Sequence, residues 1–269
     1  MSFLAAAIQL NGNSNEEACI EEATRLIRQA AAHGARFVAT PEATNYLGPH
    51  DRKVATAEGL DGRVCRHFGE LAAELDIHLL LGSFNESAEE TARCYNTSVL
   101  FGSTGEVLAS YRKMHLFDVD VSDEVRFQES ATCRPGEDVV VAETELGAVG
   151  LSICYDMRFP ELYRRQVDAG AKILAVPSAF TVTTGRDHWY PLLKARAIET
   201  QCWLIAPAQW GEHDDGGLRN SYGHSLIIDP WGQIVASCSD GTGIAFGVVD
   251  LDRVDQIRQS MPVGEHRKL

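Results

Sequence analysis

Residues 148–161 have the sequence AVGLSICYDMRFPE, which predicts an apolar strand that turns directly into a helix. Cys154 stands at the corner. Pro160 suits the first position of a helix, because its missing N–H would have no partner there, and Glu161 complements the positive end of the helix dipole. A thiol near helical N–H groups is expected to favour its thiolate form. Taken alone, Cys154 is either a nucleophile or a packed core thiol, since free cysteine is often buried.

Strand and helix patterns alternate on both sides of this corner. The predicted strands are residues 3–10, 36–40, 78–84, 95–101, 107–112, 139–143, 148–153, 173–177, 203–208, 225–228, 234–237 and 244–249. The predicted helices are an N-terminal one that Ser14 caps and Gly34 ends, residues 63–75, 160–170 and 188–201, and a short one from Leu251. Strand pairs separated by helices predict an α/β fold with two sheets packed face to face and helices outside. This is a four-layer α-β-β-α sandwich, in a single domain over residues 1–269.

Composition narrows the class of protein. The chain has 269 residues and a net charge of −14, which argues against nucleic acid or an anionic membrane surface as partner. No apolar stretch approaches the length of a membrane helix, and the N-terminus resembles a first strand rather than a signal peptide. Seven scattered cysteines form no Cys-x-x-Cys pair and no zinc-site spacing. These features favour a cytoplasmic protein with reduced thiols and no metal.

Three chemically useful side chains follow predicted strands. Glu42 comes after the strand at 36–40, Lys113 after the strand at 107–112, and Cys154 ends the strand at 148–153. If the strand ends meet, the trio is sufficient for acyl transfer: a carboxylate moves the proton, a thiol attacks the carbonyl, and an ammonium stabilises the oxyanion. The apolar pattern alone does not predict whether these three side chains lie close together. Taken singly, Glu42 and Lys113 are also consistent with solvated charges on the surface.

Three sequence blocks closely resemble the signature motifs of the nitrilase superfamily. They are Thr40-Pro41-Glu42, the stretch YRKMHLFD at residues 111–118, and ICYDMRFPE at residues 153–161. The resemblance implies a catalytic set of Glu42, Lys113 and Cys154, with Glu129 orienting the lysine. It further implies the α-β-β-α sandwich, usually dimerised so that the layers continue across the two-fold axis, and a mechanism without metal or organic cofactor. Glu124 lies in the same segment as Glu129 and is expected to matter far less.

Later motifs look most like the deaminated glutathione amidase branch, although Lys194 and Thr200 depart from its usual arginine and asparagine. The resemblance places Arg158, Phe180 and Thr184 in the substrate pocket. Arg158 has the planar fork that binds a carboxylate through both oxygens, or it forms a structural ion pair with Asp156 or Glu161. The backbone N–H of Tyr155 is expected to share the oxyanion with Lys113.

We therefore expect a cytoplasmic, cofactor-free amidase that cleaves a small-molecule carboxamide of a 2-oxo acid through a cysteinyl thioester, and that forms a homodimer or larger homo-oligomer. The alternatives within this chemistry are an ω-amidase acting on 2-oxoglutaramate, an N-carbamoyl amino acid amidohydrolase and, less favoured, a nitrile hydrolase. A non-catalytic interaction protein would be expected to lack one of the trio. A thiol redox protein would need a resolving cysteine near Cys154 in the sequence, and none is present.

Overall fold

The computed structural model describes residues 1–89, 92–122, 125–216 and 219–268. The strands are β1 (Ser2–Leu10), β2 (Ala35–Ala39), β3 (His78–Ser87), β4 (Cys94–Phe101), β5 (Val107–Arg112), β6 (Asp118–Ser122), β7 (Val125–Gln128), β8 (Cys133–Arg134), β9 (Val141–Ala142), β10 (Val149–Leu151), β11 (Ile173–Ala175), β12 (Trp203–Ala206), β13 (Ala208–Glu212), β14 (Asn220–Tyr222), β15 (Leu226–Ile228), β16 (Ile234–Ser237) and β17 (Gly243–Asp250). The helices are α1 (Glu16–Ala32), α2 (Arg63–Leu75), α3 (Pro160–Asp168), α4 (Val182–Thr200), α5 (Leu251–Ser260) and α6 (Val263–His266).

Two sheets form the centre of the molecule. The larger has the strand order β14-β13-β1-β2-β3-β4-β5, with β17 paired to β1 and β8 to β4; the smaller has the order β16-β15-β12-β11-β10-β9. β1, β2 and β3 are parallel in the larger sheet, and β10, β11 and β12 are parallel in the smaller one. Parallel strands end at the same edge of a sheet, where function commonly lies. β6 and β7 form a separate two-stranded hairpin.

The alternation of apolar side chains along β3 shows how the layers are held together. Leu80 packs in a core that joins the two sheets, whereas Leu79 and Leu81 pack in a second core with α1 and α2. Successive strand residues point to opposite faces, so a continuous apolar strand can serve two cores. On the smaller sheet, buried residues of α3, α4 and α5 join the first core. The predicted α-β-β-α sandwich is confirmed.

Two helix boundaries differ from the prediction. Asn15, not Ser14, caps α1: its side chain accepts a 3.2 Å hydrogen bond from the N–H of Ala18, while the Ser14 hydroxyl binds Asp214. Helix α4 begins at Val182, six residues before the predicted start. Its first turns contain β-branched residues and Gly185, and Pro191 lies inside it, all of which weaken a helical pattern. The packing of the buried side chains of Trp189 and Leu193 stabilises the helix despite this low intrinsic propensity.

The sequence from Lys113 to Gly136 has no sustained helix or strand period, yet this segment contains β6, β7, a 3₁₀ turn at Glu129–Ala131 and β8. The hairpin is short. Its alternation of polar and apolar residues at Asp118, Val119 and Asp120 covers too few positions to predict a strand. Glu124 lies outside the described residues. Within the described ranges, no helix is both long and apolar enough to cross a membrane.

Candidate active site

Glu42, Lys113 and Cys154 line one cavity. Glu42 follows β2, Lys113 follows β5 in the same sheet, and Cys154 follows β10 in the other sheet. The trio expected from the strand ends therefore comes together where the two sheets face one another. Gly82 of β3 permits this arrangement, because a Cβ there would lie 2.0 Å from the carbonyl oxygen of Thr40, directly before the Pro41-Glu42 turn.

Lys113 lies at the centre of a buried ion network. Its Nζ is 2.9 Å from Oε1 of Glu42 and 2.9 Å from Oε2 of Glu129. Glu129 is held in turn by the backbone of Phe117, whose N–H donates a 2.7 Å bond to Oε2. The second glutamate implied by the sequence resemblance is thus in contact with the lysine. Two of the three ammonium hydrogens are engaged, which leaves one for a reacting group.

Asn96 completes this network and was not anticipated from the sequence. Its Nδ2 donates to Oε1 of Glu42 at 2.9 Å and to Oε1 of Glu129 at 3.2 Å. Cross-strand pairing explains its place, since the backbone N–H of Lys113 donates to the carbonyl of Asn96 at 2.8 Å. The one hint in the sequence is an asparagine inside the predicted strand β4, a residue type that is uncommon in strands.

The charges in the network stabilise one another. Burial opposes the charge on Lys113, but the carboxylates of Glu129 and Glu42 outweigh it and raise the pKa of Lys113 well above its usual value. Burial likewise opposes ionisation of Glu129, yet the ammonium of Lys113 and the nearby Lys53 lower the pKa of Glu129 to about 2. At neutral pH the lysine is therefore a cation between two acceptors.

Cys154 adopts a left-handed backbone conformation with φ +48°, at the start of a 3₁₀ turn that precedes α3. The expectation that this corner favours the thiolate is wrong. Burial, together with the charge of Glu42, raises the pKa of the Cys154 thiol well above its usual value, and Lys113 offsets this only in part. The resting side chain is a neutral thiol beside a carboxylate, so it needs a base before it can attack.

Glu42 is placed to be that base. Its Oε1 accepts from Lys113 and Asn96, and its Oε2 accepts a 2.8 Å bond from the backbone N–H of Ala179. A hydrogen bond with this carboxylate is among the influences that raise the thiol pKa of Cys154. Both oxygens are thus oriented by fixed donors, with the thiol proton adjacent.

Asp156 joins the cysteine turn to the lysine motif. This fully buried carboxylate accepts hydrogen bonds from the Tyr111 hydroxyl at 2.7 Å, the Ile153 N–H at 2.8 Å and the His115 N–H at 3.1 Å. Each donor comes from one of the two motifs that carry Lys113 and Cys154. Asp156 is therefore not available to Arg158 as an ion-pair partner.

The predicted substrate-binding residues divide into two groups. Tyr155, Phe180 and Thr184 line the cavity, and within the described ranges the backbone N–H of Tyr155 has no hydrogen-bond acceptor. Arg158 does not line the cavity. Its guanidinium carbon lies 5.7 Å from the centre of the Tyr155 ring and 5.3 Å from that of Phe180, and Nη2 is 3.3 Å from Nδ1 of His188. Arg158 thus contacts two residues of the cavity wall without itself lining the cavity, and its role towards the substrate stays a prediction.

Among the lining residues that the sequence analysis did not single out, three have basic side chains: His50, Lys53 and Arg219. Burial, with the charges of Lys53 and Arg219, lowers the pKa of His50 to about 3, so His50 is neutral. The segment around Lys53 has no helix or strand period that would have placed it. Among the described residues, no three His, Cys, Asp or Glu side chains are grouped so that they could hold a metal ion.

The chain is similar to known carbon-nitrogen hydrolases over nearly its whole length. Residues 4–259 match the carbon-nitrogen hydrolase family. A deaminated glutathione amidase of Rattus norvegicus is 43% identical over 270 residues, which cover 98% of this chain and 82% of that protein. A deaminated glutathione amidase of Synechocystis sp. is 42% identical over 268 residues, 98% of each chain.

The same similarity is present in three dimensions. The crystal structure of Saccharomyces cerevisiae Nit3, a member of branch 10 of the nitrilase superfamily, matches with a TM-score of 0.90 and 29% sequence identity. The match covers 100% of this chain and 97% of that one.

Proposed function

Because this chain belongs to the carbon-nitrogen hydrolase family, we propose that it is a cofactor-free amidase that hydrolyses the carboxamide of a 2-oxo acid, of the deaminated glutathione type. The observation that carries the proposal is the buried Glu42–Lys113–Glu129 network beside a neutral Cys154 thiol in one cavity. This arrangement supports the proposal because a carbonyl group in the cavity can contact a base, a cation and a nucleophile together.

Acylation begins when Glu42 accepts the thiol proton and Sγ of Cys154 bonds to the amide carbon. The electron pair of the carbonyl moves to oxygen, and this oxyanion binds the free N–H of Lys113 and the backbone N–H of Tyr155. Glu42 then donates its proton to the amide nitrogen. The C–N bond breaks, the amine leaves with the electron pair, and a thioester on Cys154 remains.

Deacylation repeats the sequence with water. Glu42 takes a proton from water as the oxygen adds to the thioester carbon, and the same two N–H groups hold the second oxyanion. The C–S bond breaks, and the thiolate recovers the proton from Glu42. Glu129 and Asn96 touch no reacting atom in this scheme; they position Lys113 and Glu42 through their hydrogen bonds.

We further propose that Tyr155, Phe180 and Thr184 form the wall against which the substrate lies. All three line the cavity, and the rings give an apolar surface for a short acyl chain. Thr184 and Thr181 share a 2.9 Å hydroxyl–hydroxyl hydrogen bond, which orients Thr184 at the start of α4. Arg158 supports the two rings through the contacts of its guanidinium group with them.

Two other activities use the same catalytic residues. An ω-amidase would release ammonia from 2-oxoglutaramate, and an N-carbamoyl amino acid amidohydrolase would attack a ureido carbonyl. A panel of deaminated glutathione, 2-oxoglutaramate, N-carbamoyl amino acids and simple nitriles at equal concentrations separates them by amine or ammonia release. We expect the highest kcat/KM for deaminated glutathione; a higher value for any other compound would reassign the substrate.

The working unit that we propose is a single domain over residues 1–269, cytoplasmic and homodimeric. One domain is supported because Glu42 and Lys113 extend from one sheet and Cys154 from the other. A dimer is supported by large apolar side chains exposed on α4, on the turn between β15 and β16, on β16 and on β17, which are Ile198, Trp231, Ile234, Val235 and Val248. Light scattering coupled to size exclusion tests it: a mass of one chain at all concentrations would contradict the dimer.

A further inference from the structure

Lys53 is an unusual cation in this cavity. It lies in the segment after β2, its side chain lines the cavity beside Glu129, and the residue is only 7% exposed. Across the described ranges, its ammonium has no hydrogen-bond or ion-pair partner. A buried lysine is normally paired, because desolvating an ammonium without compensation is costly. Lys113, the other buried lysine of the cavity, has two carboxylate partners.

A second cation is close to Lys53. Arg219 lines the same cavity and donates to Nε2 of His50, and its charge together with that of Lys53 contributes to the low pKa of His50. Asp215 lies 3.5 Å from Nε of Arg219 and neutralises part of its charge. Lys53 therefore contributes an ammonium group that has no hydrogen-bond acceptor among the described residues. Arg219 contributes a second positive charge beside it.

We propose that Lys53, with Arg219 beside it, is the binding site for a carboxylate of the substrate. The inference rests on the proposed function, because the cavity that Lys53 lines also contains Cys154. It names the substrate class more closely: an amide that bears an anionic group within reach of the reacting carbonyl. The free ammonium hydrogens of Lys53 supply the charge-assisted hydrogen bonds, and neutral His50 orients Arg219 without repelling it.

Deaminated glutathione has two such groups, one on its 2-oxo acid and one on the glycine of the leaving dipeptide. Either carboxylate could occupy the site, so the test removes each in turn. Four compounds are compared: the intact amide, the glycine carboxamide, the 2-oxo acid methyl ester, and the form with both changes. They are assayed with the wild-type protein, Lys53→Met, and Lys194→Met, a control that removes an exposed lysine of α4.

We expect Lys53→Met to raise KM for the intact amide about 10-fold or more, the loss typical of one charge-assisted hydrogen bond. The effect should vanish for the compound that lacks the bound carboxylate, which identifies that carboxylate. Lys194→Met should leave all four KM values unchanged. If Lys53→Met impairs all four compounds equally, the lysine only balances the charge of Glu129, and the proposal is overturned.

A binding measurement tests the carboxylate site independently of the proposed catalytic function. Calorimetry of Cys154→Ala and of Cys154→Ala/Lys53→Met with intact deaminated glutathione requires no turnover. An affinity that falls about 10-fold on losing Lys53 supports the site even if the wild-type protein fails to hydrolyse the compound, which would refute only the proposed function. Equal or undetectable binding by the two proteins overturns the site. Lys53→Gln serves in place of Lys53→Met should the latter fold poorly.

Discussion

The hydroxyl of Tyr111 donates a 2.7 Å hydrogen bond to Oδ2 of Asp156. Both side chains are buried, and 45 residues separate them in the sequence. Tyr111 precedes Lys113 by two positions, and Asp156 follows Cys154 by two. This bond therefore sets the position of the catalytic lysine relative to the nucleophile, although neither partner contacts the reacting atoms.

Asp156→Asn should damage both stability and catalysis. The new amide NH₂ would face the N–H of Ile153 or, with the amide turned over, the N–H of His115, and a buried donor without an acceptor costs about 1–3 kcal/mol. We expect the free energy of unfolding in urea to fall by that amount and kcat to fall more than KM rises. Tyr111→Phe, which removes only one donor, should cost about 1 kcal/mol. A destabilised Asp156→Asn protein with wild-type kcat would show that Asp156 is structural only.

Glu129→Gln should reduce kcat roughly 5- to 150-fold while KM changes little, because a charged acceptor that positions Lys113 is worth about 1–3 kcal/mol. The matched control is Glu86→Gln. Glu86 is also buried and also bonds a cation, Arg112 at 2.7 Å, but does not line the cavity. Its loss should lower stability and spare kcat. Equal losses of kcat from the two variants would remove the case for a special glutamate.

The lowered pKa of Glu129 also predicts a dependence of stability on pH. The carboxylate titrates near 4.5 when unfolded and at about 2 when folded. Its contribution to the free energy of unfolding is therefore complete above pH 4.5 and is lost as the pH falls towards 2. The stability difference between the wild-type protein and Glu129→Gln should shrink over that range in acid denaturation, and a constant difference would contradict the lowered pKa.

Glu42→Gln should abolish turnover yet make the thiol of Cys154 more acidic. After burial, the charge of Glu42 is the largest influence that raises the thiol pKa. Removing this anion lowers the pKa, so thiolate should form at lower pH than in the wild-type protein. The thiol pKa is measured from the absorbance of the thiolate near 240 nm as a function of pH. The absorbance of Cys154→Ala is subtracted to remove the signal of the other residues. A thiolate that forms at higher pH in Glu42→Gln would contradict the assigned electrostatics.

Arg158→Lys tests the supporting role given to this residue. A flexible ammonium then replaces the planar guanidinium over Tyr155 and Phe180, and we expect kcat/KM to fall about 2- to 5-fold, the worth of an exposed cation–π contact. The factor should be the same for deaminated glutathione and for its form without carboxylates. A fall in kcat/KM for the carboxylate-bearing compound alone would instead indicate that the guanidinium binds the substrate carboxylate. That is the role that the sequence position of Arg158 predicts.

The sequence predicted the layers because their signals are local. The apolar runs of β3 and β10 and the Pro160 start of α3 can be recognised without tertiary information. Helix α4 was found only in part, since Gly185 and Pro191 mask its beginning and packing outweighs propensity.

For the site, the resemblance of three motifs named Glu42, Lys113, Cys154 and Glu129, and the structure places all four in one cavity. The thiolate expectation failed because it considered only the helical N–H groups and not the burial of the thiol or the carboxylate of Glu42, which comes from the facing sheet. Asn96 stands inside a predicted strand, but its partners are set by cross-strand pairing, and Lys53 lies in a segment with no helix or strand period; both contacts are tertiary properties.

A covalent acyl group on Cys154 is the most direct test of the account. Wild-type protein would be mixed with deaminated glutathione, quenched in acid within a turnover, and mapped by peptide mass spectrometry. We predict a hydroxylamine-sensitive 2-oxoglutaryl adduct on the peptide that contains Cys154, no such adduct on Cys154→Ala, and no turnover by that variant despite native circular dichroism. Turnover by Cys154→Ala at the wild-type rate would contradict the thioester mechanism.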